Sequence, residues 1–224
     1  MIDNLDDHLI HQERVFDDMS PKFASYETVT DELVPVYEHL AQSILLASST
    51  PNNNSTTTTK ILDVACGSGA LWPFLKQQAD RMGRTIQVTG VDVSPNMVQA
   101  AQQLAASLSS SSSSDNKNQH HHHFQVVNSA FESYTTTETY DTIIFNACFG
   151  NFWNQQLVLQ TAIGLLNNNN NNNNSSSSIV VSHPLGAEFV HQLHNSDPMT
   201  VPHTLPTTKL EWMYLTLTLP LHVK

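Results

Sequence analysis

Lys60-Ile61-Leu62-Asp63-Val64-Ala65-Cys66-Gly67-Ser68-Gly69-Ala70 is the densest structural signal in the chain. Ile61 to Val64 are aliphatic with no polar alternation apart from Asp63, and a glycine turn follows at once, which predicts a short strand buried on both faces. The chain has only seven glycines in 224 residues, and two of them, Gly67 and Gly69, fall in this turn. Glycine is needed where the backbone takes positive φ or passes close to a ligand. Asp63 sits at the carboxyl end of the strand, the end at which open α/β sheets bind ligands. A tight strand-to-helix turn with no ligand would use the same residues.

Two ligand classes use such a loop. A nicotinamide dinucleotide fingerprint needs a small third residue, so that helix and strand pack closely beneath the pyrophosphate. Here that position is Trp72, which sets the dinucleotide reading aside. Asp63-Val64-Ala65-Cys66-Gly67-Ser68-Gly69 instead resembles the first motif of the class I S-adenosylmethionine-dependent methyltransferases, in a variant with alanine at the first glycine. The resemblance implies an α/β fold with a doubly wound, mostly parallel sheet.

The flanking sequence supplies the elements of such a sheet. From Thr30 to Ala47, Val36, Leu40 and Ile44 and then Tyr37, Ala41 and Leu45 recur at helical spacing, with Pro35 in the first turn. Ala70 to Met82 predicts a helix whose N-terminus faces the ligand. Ile86 to Val93 predicts the second strand, and Ser94-Pro95 then gives an N-cap followed by proline at the first helical position. Phe124 to Val127, Tyr140 to Ala147 and Ile179 to His183 predict the third to fifth strands. Helices with Leu157, Val158, Ala162 and Leu165, and with Phe189, Val190 and Leu193, follow the last two. Leu210 to Val223 accommodates one further helix or strand, whereas family domains usually close with two antiparallel strands. The chain is thus expected to lack the last strand or strands.

Low-complexity tracts at 48–59, 109–123 and 167–178 each lie between a helix and the next strand. In a doubly wound sheet those connections run at the amino ends of the strands, opposite the ligand crevice, and loop closure entropy grows only slowly with length. His120 to His123 abut such a tract and have no spaced partner set, so they are read as compositional and no metal site is expected. Residues 1–27 form a polar arm with Phe16, Phe23 and Tyr26 as its large anchors. In similar methyltransferases such a segment covers the cofactor; a plain surface arm is the alternative. The methyltransferase domain is expected over 28–224.

Composition narrows the partners. Nine Lys plus Arg against twenty Asp plus Glu give a formal charge of −11, which opposes nucleic acid and anionic membrane surfaces. Cys66 and Cys148 follow strands that the fold places side by side, and are expected as reduced thiols in a cytoplasmic protein.

The resemblance implies S-adenosyl-L-methionine contacts from Asp63, Ala65, Cys66, Gly67 and Gly69, then from Asp92, Val93 and Met97 beyond the second strand. Asp92 would accept both ribose hydroxyls. At the third strand the family usually places an acidic residue beside the adenine amino group; Ser129 stands there, with Ala130 and Phe131 as a backbone contact or apolar wall. Asn146 would face the methionine end, and Phe149 and Trp153 the acceptor. Asn146-Ala-Cys-Phe149 lacks the two prolines found in family members that methylate planar amines. His183 is the candidate catalytic base, and packing or capping ahead of Pro184 is its alternative role. The expected activity is methyl transfer to a small molecule by in-line displacement; a non-catalytic binding protein for S-adenosylmethionine or S-adenosylhomocysteine is the other reading.

Overall fold

A computed structural model describes residues 4–23, 29–48, 58–110, 121–167 and 177–208, the side chains of Phe23 and Ser110 excepted. Five strands, β1 (Thr59–Val64), β2 (Ile86–Asp92), β3 (His123–Asn128), β4 (Thr142–Asn146) and β5 (Ser178–Ser182), form one sheet in the order β3-β2-β1-β4-β5. Every pairing is parallel. The strand order reverses between β1 and β4, which opens a crevice beyond their carboxyl ends.

Successive residues of β1 point to opposite faces, and both faces are buried. Ile61 enters a core with Ala41, Ile44 and Leu45 of α2 (Val34–Ala47), Trp72, Leu75 and Ala79 of α3 (Trp72–Arg81), and Ala101 and Leu104 of α4 (Pro95–Ser110). Leu62 enters the opposite core with Phe145, Phe149 and Phe152, and with Val158, Leu159 and Ala162 of α5 (Gln155–Leu165). This two-sided burial explains the unbroken apolar run in the sequence. On α2, Tyr37, Ala41, Ile44 and Leu45 face inward, whereas Val36 is exposed, so the helix is rotated about one residue from the first of the two expected stripes.

The chain enters through α1 (Leu5–Phe23) and, after β5, continues through α6 (Gly186–Ser196). Residues 49–57, 111–120 and 168–176 lie outside the description, but their flanks join helix ends to the amino ends of β1, β3 and β5. The expected element over Leu210 to Val223 lies outside the described residues, as does Tyr26. No described helix is long and apolar enough to cross a membrane.

Candidate active site

A cavity opens at the carboxyl ends of β1, β2 and β4 and is roofed by α1. Its floor is the loop after β1. Ala65 and Gly67 take positive φ, at 51° and 55°, and the loop is closed by Cys66 N–H donating to Val91 O at 3.2 Å and Gly69 N–H donating to Cys66 O at 3.0 Å. Gly67 is required by conformation, since only Met97 Sδ, at 4.0 Å, would meet a side chain there. Gly69 and Gly90 are required by space. A methyl group on Gly69 would lie 2.9 Å from the Trp72 indole, and one on Gly90 2.7 Å from the same ring and 2.6 Å from Cys66 Sγ. The indole that is too large for a dinucleotide loop is thus fitted by two glycines, one of them in β2.

Trp72 is fully buried, and its Nε1–H donates to Asp63 Oδ2 at 2.9 Å. Burial pushes the Asp63 carboxyl up to about 7, the indole hydrogen bond opposes the rise, and nearby Asp92 adds to it. Asp92 Oδ2 accepts from Gly67 N–H at 2.8 Å and Oδ1 accepts from Ser94 N–H at 2.9 Å, so this side chain braces the loop as well as facing the cavity. Burial raises its pKa against those backbone hydrogen bonds. Ser94 caps α4, its Oγ accepting from Met97 N–H at 3.2 Å.

The structure brings Asp63, Ala65, Cys66, Gly67, Asp92, Val93, Met97 and Asn146 to the cavity wall. Ser129, Ala130 and Phe131 line it too, although Ser129 Oγ donates to Ala130 O at 2.9 Å. Gly69 stands behind the wall, beneath Trp72 and Leu104. Asn146 Oδ1 accepts from Ser182 Oγ at 3.0 Å, and its side chain also bonds with that of Tyr37, another lining residue. Cys66 and Cys148 also line the wall, neither is in a disulfide, and burial pushes both thiols up.

Three expected residues lie elsewhere. Ala147 takes positive φ at 61° and a short 3-10 turn, Phe149–Asn151, follows. The turn drives Phe149 into the core edge-on to Phe145, ring centroids 5.5 Å apart, and presents Phe152 to the cavity instead. Trp153 lies outside the wall with its ring 5.5 Å from that of His8. His183 also lies outside it: its Nδ1 accepts from Leu185 N–H at 3.2 Å and its ring packs on Phe189 at 5.4 Å, while burial lowers its pKa. This is the turn-capping arrangement ahead of Pro184.

Other groups escaped the sequence reading. Glu132, in the 3-10 turn Phe131–Ser133, lines the cavity with its pKa raised by burial. It supplies a carboxyl three residues beyond Ser129, a displacement that motif spacing does not reveal. From α1, His8, Leu9 and Gln12 join Phe16, one of the expected anchors of the arm, in forming the roof. The helix is held at both edges: Gln12 Nε2–H donates to Thr200 O at 2.7 Å, His8 bonds to Asn151 O at 2.8 Å, and Asp17 accepts from Ser94 Oγ and from Asn96 N–H. Among the histidines, the His122 side chain is buried against Asp80 at 2.9 Å and accepts from Ile86 N–H.

A protein-family profile described as a methyltransferase domain matches residues 55–216, well over half of the chain. No curated protein matches the sequence. Among solved structures, magnesium protoporphyrin IX methyltransferase from Synechocystis PCC 6803, with S-adenosylhomocysteine bound, is 13% identical, with 93% of this chain and 86% of that one covered at a TM-score of 0.59. The N-methyltransferase NodS from Bradyrhizobium japonicum WM9, also in complex with S-adenosylhomocysteine, is 12% identical, with 70% and 68% covered at a TM-score of 0.50. At these identities the likeness is one of fold, whereas the profile match fixes the family. The chain belongs to the class I S-adenosylmethionine-dependent methyltransferases.

Proposed function

We propose that the cavity binds S-adenosylmethionine against the β1 and β2 ends and a small, neutral or apolar acceptor beneath α1. The observation that carries this reading is the charge of the wall: among the described residues Asp63, Asp92 and Glu132 line it, and neither lysine nor arginine does. Pyrophosphate-bearing ligands and anionic acceptors are repelled by such a wall, while a sulfonium with an ammonium group offsets buried carboxylates that otherwise resist ionisation. When bound, the cofactor supplies an electrophilic methyl group. The chain then positions the reactants and excludes water.

Residue roles follow from placement. Asp92 takes the ribose hydroxyls while its own position is fixed by Gly67 and Ser94. Glu132 replaces the acidic residue missing at Ser129 and accepts from the adenine amino group, with Phe131 and Met97 as apolar walls. Asn146, oriented by Ser182, faces the methionine end. Leu9, Phe16 and Phe152 give the acceptor side its apolar surface, and α1 is the lid of the site. The unpaired thiols of Cys66 and Cys148 favour a cytoplasmic location, and a net charge of −11 disfavours nucleic acid as acceptor.

The test is transfer of labelled methyl groups from S-adenosylmethionine into a cell extract separated into metabolite, RNA and protein fractions. Label is expected in the metabolite fraction; label confined to a macromolecular fraction overturns the proposed acceptor.

A further inference from the structure

We infer that His8 Nδ1 is the general base of the site, taking the proton from a neutral acceptor that is methylated on a hydroxyl oxygen. The inference rests on the cofactor placement proposed above and deepens it. His8 lies on α1, is 1% exposed and lines the cavity. Its Nε2 is 2.8 Å from Asn151 O. A carbonyl oxygen only accepts, so Nε2 carries the hydrogen, and in the neutral ring Nδ1 holds a free lone pair. That Nδ1 is the one buried side-chain polar atom among the described residues with no hydrogen-bond partner. Folded proteins rarely leave a buried acceptor unpaired, and one left so calls for an explanation, of which a catalytic role is one.

The surroundings keep the ring neutral and fixed. Burial lowers its pKa, the hydrogen bond to Asn151 opposes this, and the neighbouring His11 and His203 lower it further. Trp153 packs against the ring, and Gln12, one turn along α1, is tied to Thr200. The carboxyl groups that line the same cavity are those of Asp63, Asp92 and Glu132, each with its pKa raised by burial. His183, the other histidine considered for this role, has its Nδ1 occupied by Leu185 N–H.

The acceptor class follows from proton balance. A hydroxyl that takes the methyl group loses its hydrogen to His8 Nδ1 while an oxygen lone pair forms the O–CH3 bond. The S–CH3 bonding pair returns to sulfur, leaving the thioether, and the imidazolium later releases its proton to water. Positive charge passes from sulfonium to imidazolium, so the net charge of the site is unchanged. A carboxylate needs no base and is repelled by the wall, and proton transfer to imidazole in the transition state is favoured as the acceptor hydroxyl becomes more acidic, which places a phenol or enol ahead of an aliphatic alcohol. A neutral phenol or enol meets both conditions.

The test is 15N NMR titration of the histidine rings in the intact chain, alone and saturated with S-adenosylmethionine or S-adenosylhomocysteine. His8 is assigned from the resonance lost in His8→Gln, or by backbone-linked experiments if that variant does not fold. The two ligands differ by one positive charge at sulfur. A base that reaches the transferred methyl must feel that charge, and its pKa should be lower with the sulfonium by about one pH unit. Equal pKa values with both ligands bound overturn the inference, as does a ligand-free ring protonated at Nδ1 in its neutral form. Failure of both ligands to bind instead overturns the cofactor placement itself. In the labelled-methyl assay, His8→Gln should lose about 100-fold or more of the transfer with cofactor affinity kept; undiminished transfer counts against the base.

Discussion

The two walls of the cavity are built differently. The proposed cofactor wall comes from consecutive strand ends, where the backbone N–H groups of Gly67 and Ser94 donate to the Asp92 carboxylate beside a buried sheet. The proposed acceptor wall comes from distant segments: α1 supplies His8, Gln12 and Phe16 and is tied to Asn151 and Thr200 in the far half of the chain, where Phe152 also lines the cavity. One wall belongs to the core; the other is a helix held on by a few hydrogen bonds. A change in the first should therefore cost stability and cofactor affinity together, whereas a change in the second should alter transfer and leave the cofactor in place.

The largest effect is expected at Asp92. Asp92→Ala removes the acceptor for two loop N–H groups as well as the proposed ribose contact, so cofactor affinity should fall by about 10- to 100-fold. Thermal stability should fall too, by about 1–3 kcal/mol. Calorimetry and melting of the same sample check both, and affinity lost without stability would uncouple loop from ligand. Next, Gly90→Ala places a methyl group against Cys66 and the Trp72 indole and should cost about 1–3 kcal/mol by overpacking. Denaturant unfolding measures that cost, and an unchanged midpoint would show that Trp72 is free to shift.

Asp63 gives the comparison a pH axis. Its folded pKa of about 7 stands above the unfolded value of 3.8, so the folded state binds the proton more tightly. The stabilising contribution is complete below pH 3.8 and is lost as pH rises through about 7. The ligand-free protein should accordingly lose up to about 4 kcal/mol across that window from this group, and Asp63→Asn should flatten the slope. Urea unfolding at several pH values checks this. On the other wall, Gln12→Ala breaks one tether of α1 and should weaken methyl transfer several-fold with cofactor affinity unchanged. A matching loss of affinity would make α1 part of the cofactor site. Smallest of all, His183→Gln and removal of residues 168–174 should each leave cofactor affinity within about twofold, about 0.4 kcal/mol.

The same division explains what could be read in advance. The strands, the Ser94-Pro95 helix start and the glycine loop are local signals, decided by residues within a few positions of one another. Gly90 could not be tied to Trp72, because that contact crosses from helix to neighbouring strand. Phe149 was expected at the acceptor, but a positive φ at Ala147 and a 3-10 turn redirect the chain after β4, burying Phe149 and leaving Phe152 at the cavity. His8 and Glu132 carry no motif. One is placed by the docking of α1, the other by a turn that moves a carboxyl three residues along, and both depend on tertiary contacts that no spacing rule encodes.

The central claim, that the acidic cavity at the β1 and β2 ends is the cofactor site, is tested most directly by amide-resolved NMR titration with S-adenosylhomocysteine. The largest shifts are expected at Ala65 to Gly69, at Asp92 and Val93, and at Ala130 to Glu132. Shifts confined to β5 and α6 around His183, or none at saturating ligand, would contradict it.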